Sequence, residues 1–229
     1  MSGYHITRFA PDPRRDVLWK TLVSGYFQRL IPEEGCALEL GAGYAHFINH
    51  VRCRKKIAVD IWEGLREHAA ADVETIIQSA CDLSGIEPES VDFAFASNLT
   101  EHLTQEEFAT LLQQLRQKLR PGGTLNLLQP NFRFAYREYF DDYTHLTVYS
   151  DRSLCDFLAA NGFRVLECRP RFLPLTVKSR LPVSPLLVRL YLLSPWKIMG
   201  KQMFVRCTPA QQFFERATPC SIDGTWPSF

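Results

Sequence analysis

CALELGAGYAHF, residues 36–47, decides how the chain is read. CALEL is apolar apart from Glu39, and short apolar runs suit a parallel strand buried on both faces. Gly41 and Gly43 follow at once, so the backbone can turn tightly and approach a ligand with no side chain between them. Phe47, Ile48 and Val51 then recur at helical spacing. A dinucleotide loop would read G-x-G-x-x-G and hold a pyrophosphate, but the third position here is His46. Glu39 repels a diphosphate and welcomes an ammonium group. The loop suits a cationic, amino-acid-like ligand.

Working outward, KIAVD (56–60) reads as a second strand, followed by a short helix around 62–70 and a third strand, ETIIQ (74–78). VDFAFAS (91–97) reads as a fourth strand, apolar at nearly every position. Thr104 and Glu107 have capping-box spacing, and Phe108, Leu111, Leu112, Leu115 and Leu119 form one apolar helical face. Pro121-Gly122-Gly123 stops that helix and starts a fifth strand, TLNLLQ. A helix over 151–160 ends at Asn161-Gly162, and FRVLECR and QMFVRC supply strands six and seven. Alternating strands and helices predict an α/β fold: a Rossmann-like, seven-stranded, mostly parallel sheet with an antiparallel last strand and helices on both faces. Ligands in such sheets sit at the carboxyl ends of the strands.

The chain has 229 residues, 46% of them hydrophobic, enough for one good-sized core. Its formal charge is +1, from 26 basic and 25 acidic side chains, which argues against a nucleic-acid binder. The charge is uneven. Residues 60–107 carry twelve acidic side chains and one basic, whereas 162–206 carry nine basic and one acidic. Seven scattered cysteines without a CxxC pair give no reason to expect zinc or a disulfide framework and suit a reducing cytosol. No metal site is expected. No apolar leader and no run of roughly 18 to 20 apolar residues is seen, so a cytoplasmic location is expected.

Glu39-Leu40-Gly41-Ala42-Gly43, Asp60, Cys81-Asp82-Leu83, Asn98-Leu99-Thr100-Glu101-His102-Leu103 and Leu119-Arg120-Pro121-Gly122-Gly123 come in order, each at a strand or helix end. Together they resemble class I S-adenosylmethionine-dependent methyltransferases over about residues 36–170. The whole chain is similar to a bacterial subgroup linked to polysaccharide or glycolipid biosynthesis. The resemblance implies S-adenosylmethionine as cofactor, with Glu39, Gly41, Ala42 and Gly43 lining its methionine part. It implies Asp60 at the ribose, Ile61 and Trp62 beside the adenine, Asp82 with Leu83 at the adenine amino group, and Asn98 near the methionine end. Arg8 is the candidate for the cofactor carboxylate. Plain structural uses compete: Asp60 and Asp82 as caps, Trp62 as an ordinary core aromatic.

A hydroxyl acceptor would gain from a general base, typically 10²–10⁴-fold. His102 and His145 are the candidates, the latter beside Asp141 and Asp142. Tyr136, Arg137, Tyr139 and Tyr143 would shape a pocket for a small-molecule or glycan acceptor. Residues 1–35 read as an approach or lid segment, 36–207 as the catalytic domain and 208–229 as a tail without a recognisable motif. An apolar, basic insertion at about 171–200 reads as a lid or as a peripheral contact with the inner membrane face. The rival functions are a nicotinamide-dependent oxidoreductase, opposed by His46 and Glu39, and a non-catalytic scaffold, opposed by the retained acidic landmarks.

Overall fold

The computed structural model describes residues 12–174, 184–197 and 199–210. Seven strands form one sheet: β1 Cys36–Leu40, β2 Lys55–Asp60, β3 Val73–Ile77, β4 Val91–Ser97, β5 Leu119–Pro130, β6 Phe163–Leu173 and β7 Gln202–Pro209. Their order is β3-β2-β1-β4-β5-β7-β6. The first five are parallel, and β7 runs antiparallel between β5 and β6. This is the Rossmann-like sheet that the sequence predicts. Strand order reverses between β1 and β4, so their carboxyl ends open the crevice where such sheets bind ligands.

The helices are α1 Pro13–Leu22, α2 Leu65–His68, α3 Gln105–Lys118, α4 Phe132–Ala135, α5 Asp151–Ala160 and α6 Pro185–Leu193. Side chains alternate along the strands and divide the core into two layers. Cys36, Leu38 and Leu40 of β1, with Val91, Ala94 and Ala96 of β4, meet Phe108, Leu111, Leu112 and Leu115 of α3 and Leu154 and Leu158 of α5. Phe93 and Phe95 point the other way, toward Leu22, Val23, Tyr26, Phe27 and Phe47. Thus the stretch read as an approach segment supplies core side chains on this face. The expected Thr104–Glu107 capping box opens α3, and α5 ends before Gly162 at φ 80° as expected. Each of the four large apolar side chains of α3 contributes roughly 1.5–3 kcal/mol by burial.

Two details differ from expectation. The helical stretch after the glycines is only a short 3₁₀ turn, Ile48–His50. There Asn49 turns its amide to the His68 carbonyl and the Ala70 N–H, tying the turn to the end of α2. In addition, β5 begins at Leu119, so Pro121-Gly122-Gly123 lies within the strand.

Within the insertion, Ser184 caps α6 by accepting from Leu187 N–H. Val188, Tyr191 and Leu192 pack inward on the phenylalanine-rich layer. Leu186, Leu187, Leu190 and Leu193 face outward, and Leu193 is 80% exposed. No helix among the described residues is long and apolar enough to cross a membrane.

Candidate active site

Two loop systems meet at the carboxyl ends of β1, β4 and β5. The first is the glycine loop. Gly41 and Gly43 have φ of 65° and 51°, backbone that L side chains rarely adopt. A Cβ built on Gly41 would stand 3.0 Å from Leu99 Cδ1, so the loop after β4 lies directly over the turn. Gly41 N–H and Ala42 N–H both donate to the Val59 carbonyl, fixing the loop against β2. Asp60 braces it from the side. Its Oδ2 accepts from Gly43 N–H at 2.7 Å and its Oδ1 from Trp62 N–H at 2.8 Å. Each carboxylate oxygen keeps a further acceptor site, so bracing the loop and receiving a diol are compatible.

Glu39 Oε2 accepts from Ile48 N–H at 3.0 Å, and the residue is 5% exposed. Burial holds its carboxyl well above the usual carboxylate range. It clasps the far end of the glycine loop from beneath. Ile61 is half exposed beside the strand end, and the Trp62 ring packs edge-on to Tyr44 at 4.9 Å and stacks with His68 at 5.5 Å. Asn98, at φ 50°, has its Oδ1 held by Gln202 Nε2 at 2.8 Å. The loop thus offers a glycine turn, a carboxylate and an exposed apolar side chain in sequence, a set that fits a nucleoside joined to an amino acid.

The second system joins the loop after β4 to the loop after β5. Leu146 N–H and Thr147 N–H both donate to the Glu101 carbonyl, at 2.8 and 3.1 Å. Thr147 Oγ1 donates to the Leu103 carbonyl at 2.6 Å. These bonds fold residues 142–147 back over 101–103 and bring His145 to His102, ring centroids 4.9 Å apart. His102 Nδ1 lies 2.9 Å from Thr144 Oγ1 and 3.2 Å from the Thr144 carbonyl. Thr144 Oγ1 donates its only proton to Asp142 Oδ1 at 2.6 Å. Both contacts therefore need a proton on Nδ1, which leaves the lone pair of the neutral ring on Nε2. Burial first, and His145 second, hold the His102 pKa below the ordinary value, which favours that neutral ring.

Glu101 completes the group. It is fully buried, and neither carboxylate oxygen has a hydrogen-bond partner beyond the residue's own backbone. Burial, with the Asp142 charge adding to it, pushes its pKa up to about 8.

A family model described as a methyltransferase domain matches residues 13–168, most of the described chain. The chain belongs to this methyltransferase family. It is an S-adenosylmethionine-dependent enzyme. Solved structures share the fold. A SAM-dependent methyltransferase from Archaeoglobus fulgidus is 19% identical, covering 91% of this chain and 98% of its own, with a TM-score of 0.64. A Haloferax volcanii chain solved with the Trm112 methyltransferase activator is 14% identical, covering 85% and 90%, with a TM-score of 0.65. A SAM-dependent methyltransferase from Thermotoga maritima is 19% identical, covering 90% and 93%, with a TM-score of 0.60. No curated protein sequence matches the chain significantly.

The other sequence-derived candidates are distributed unevenly around the methyltransferase site. Arg8 lies outside the described residues. Asp82 is exposed and caps its own turn by accepting from Ser84 N–H at 3.0 Å. The Leu83 side chain is fully buried in the layer under α3, and its N–H donates to Gln114 Oε1 at 2.6 Å. Tyr136, Arg137 and Tyr143 are exposed on the loop after β5, with Arg137 Nε donating to the Tyr136 hydroxyl at 3.1 Å.

Tyr139 differs from its neighbours: it is 1% exposed and donates its hydroxyl to the Thr147 carbonyl. Its ring lies 4.5 Å from His145 and forms a floor for that imidazole. Sequence reasoning did not single out Glu101, Thr144, Leu99, Tyr44 or Gln202. The signal available for Glu101 was a carboxylate beside His102, set between Leu99 and Leu103.

Proposed function

We propose that this methyltransferase O-methylates a hydroxyl of a small-molecule or glycan acceptor, with a lipid-linked glycan as the favoured class. The observation that carries the reading is the convergence of His102 and His145 just beyond β4, with His102 held in the tautomer that presents a lone pair. A hydroxyl must shed its proton as it gains a methyl group, and a neutral imidazole is suited to take it. S-adenosylmethionine supplies the methyl group from its sulfonium. On this reading Gly41, Ala42, Gly43 and Asn98 flank the methionine part, Asp60 receives the ribose hydroxyls, and Ile61, Trp62 and Asp82 border the adenine. Tyr136, Arg137 and Tyr143 border the acceptor.

The outward leucines of α6 support the lipid-linked class. A helix apolar on both faces needs cover on both, and its exposed leucines are joined by the exposed Trp196 and Met199 and the basic Arg189. Such a face suits an anionic membrane surface, where basic side chains near the head groups add about 1 kcal/mol each.

The test is transfer of labelled methyl to free sugars, sugar nucleotides and lipid-linked glycans, followed by mild base. An ether survives and a carboxylate ester does not, so base-labile label would refute O-methylation of a hydroxyl. Sedimentation with anionic and neutral vesicles tests the surface; failure to bind either removes it.

A further inference from the structure

We infer that Glu101, His102 and His145 form a site for one divalent transition-metal ion of the zinc class, held by one carboxylate oxygen and two imidazole nitrogens. One ligand atom from each residue lies within 4.8 Å of the other two. Zinc ligands about 2.1 Å from the ion stand about 3.4 Å apart in a tetrahedral site, so small side-chain rotations close the cluster. Two imidazoles and a carboxylate are a donor set that zinc accepts while keeping a fourth position open.

Glu101 is the reason to expect an ion. An ionised carboxylate sealed from water with no hydrogen bond from another residue costs several kcal/mol. A protonated one still leaves an O–H and a carbonyl unmatched, which buried groups rarely tolerate. A cation removes both difficulties at once.

The surroundings are arranged accordingly. The Nδ1–H of His102 is held by Thr144, with Asp142 behind it, which fixes the tautomer that keeps the ring's lone pair on Nε2 for a metal. Tyr139 supports the His145 ring from below. The open position would take an acceptor oxygen. Coordination lowers the pKa of a bound O–H, whose proton leaves to water, so the pair would activate the acceptor through the ion and not by direct proton abstraction. This role rests on the O-methylation reading; the binding site does not.

The test is titration of chelator-treated full-length protein with Zn²⁺ against a chromogenic chelator, with Co²⁺ absorption as a second readout. One equivalent per chain is expected. Glu101→Ala and His145→Ala should each weaken it at least 100-fold and Thr144→Val about 10-fold, while every variant still binds S-adenosylhomocysteine. Absence of a stoichiometric site would overturn the inference. So would affinity unchanged in both ligand variants, which would assign the ion to thiols. If no ion binds and His145→Ala still lowers turnover, the metal site falls and the direct-base reading stands. If the ion binds and His145→Ala turns over normally, the site stands and the role in O-methylation falls.

Discussion

Two sets of carboxylates line the same crevice and are treated in opposite ways. Asp60 and Glu39 are tied to backbone N–H groups and hold the glycine loop in shape. Glu101, across the crevice, is fully buried, and its carboxylate is bound to no other described residue. The first pair is finished on folding, as befits a loop that must be ready for its cofactor. The second is left incomplete, as befits a group waiting for something to arrive. Buried polar groups are nearly always satisfied, so an exception marks where chemistry is concentrated.

That contrast breaks if changes on one side are felt on the other. The largest effect is expected on the histidine side: His145→Ala should lower kcat about 100-fold while S-adenosylhomocysteine affinity, read by calorimetry, stays unchanged. A matching loss of cofactor affinity would mean the two loop systems act as one.

On the glycine side, Gly41→Ala places a Cβ in left-handed backbone against Leu99. It should cost about 1–2 kcal/mol in thermal or denaturant unfolding and weaken S-adenosylhomocysteine binding. Unaltered stability would mean the turn relaxes freely.

A smaller effect sharpens the role of Glu39. Its folded pKa is raised by burial above the ordinary 4.5, so the folded state holds this proton more tightly than the unfolded chain. The resulting stability is full below about pH 4.5 and declines as pH rises toward the folded value. Glu39→Gln should therefore remove this pH dependence of stability above about pH 5 in the ligand-free protein. Parallel melting curves for the two proteins would show instead that the carboxyl is ionised throughout.

The smallest effect belongs to α6. Leu186→Ser with Leu190→Ser should shift stability by no more than about 0.5 kcal/mol, because both side chains already face outward. The same change should abolish vesicle binding, and a large loss of stability would mean this face is covered within the chain.

The fold was legible because its signals are local. CALEL and VDFAFAS are too uniformly apolar for anything but buried strands, and Thr104 with Glu107 announces α3 by itself. The glycine loop was legible for the same reason, since its turn is written in adjacent residues.

The acceptor side was only half legible. His102 and His145 stand out as residue types, yet what joins them is a pair of backbone bonds from Leu146 and Thr147 to Glu101, which no side-chain pattern reports. Tyr139 shows the same limit. Among the four aromatic and basic residues read as shaping an acceptor pocket, it alone is buried, with its ring packed on His145.

The last hairpin has a consequence for how this enzyme could diversify. Leu173 pairs with Gln202, so the chain leaves the sheet after 173 and rejoins it at 202 through one ladder position. Whatever lies between can lengthen, shorten or change character without shifting the register of any strand. Meanwhile Gln202, at the point of return, grips Asn98 beside the crevice. One excursion can thus be rewritten while the frame beside the crevice stays as it is.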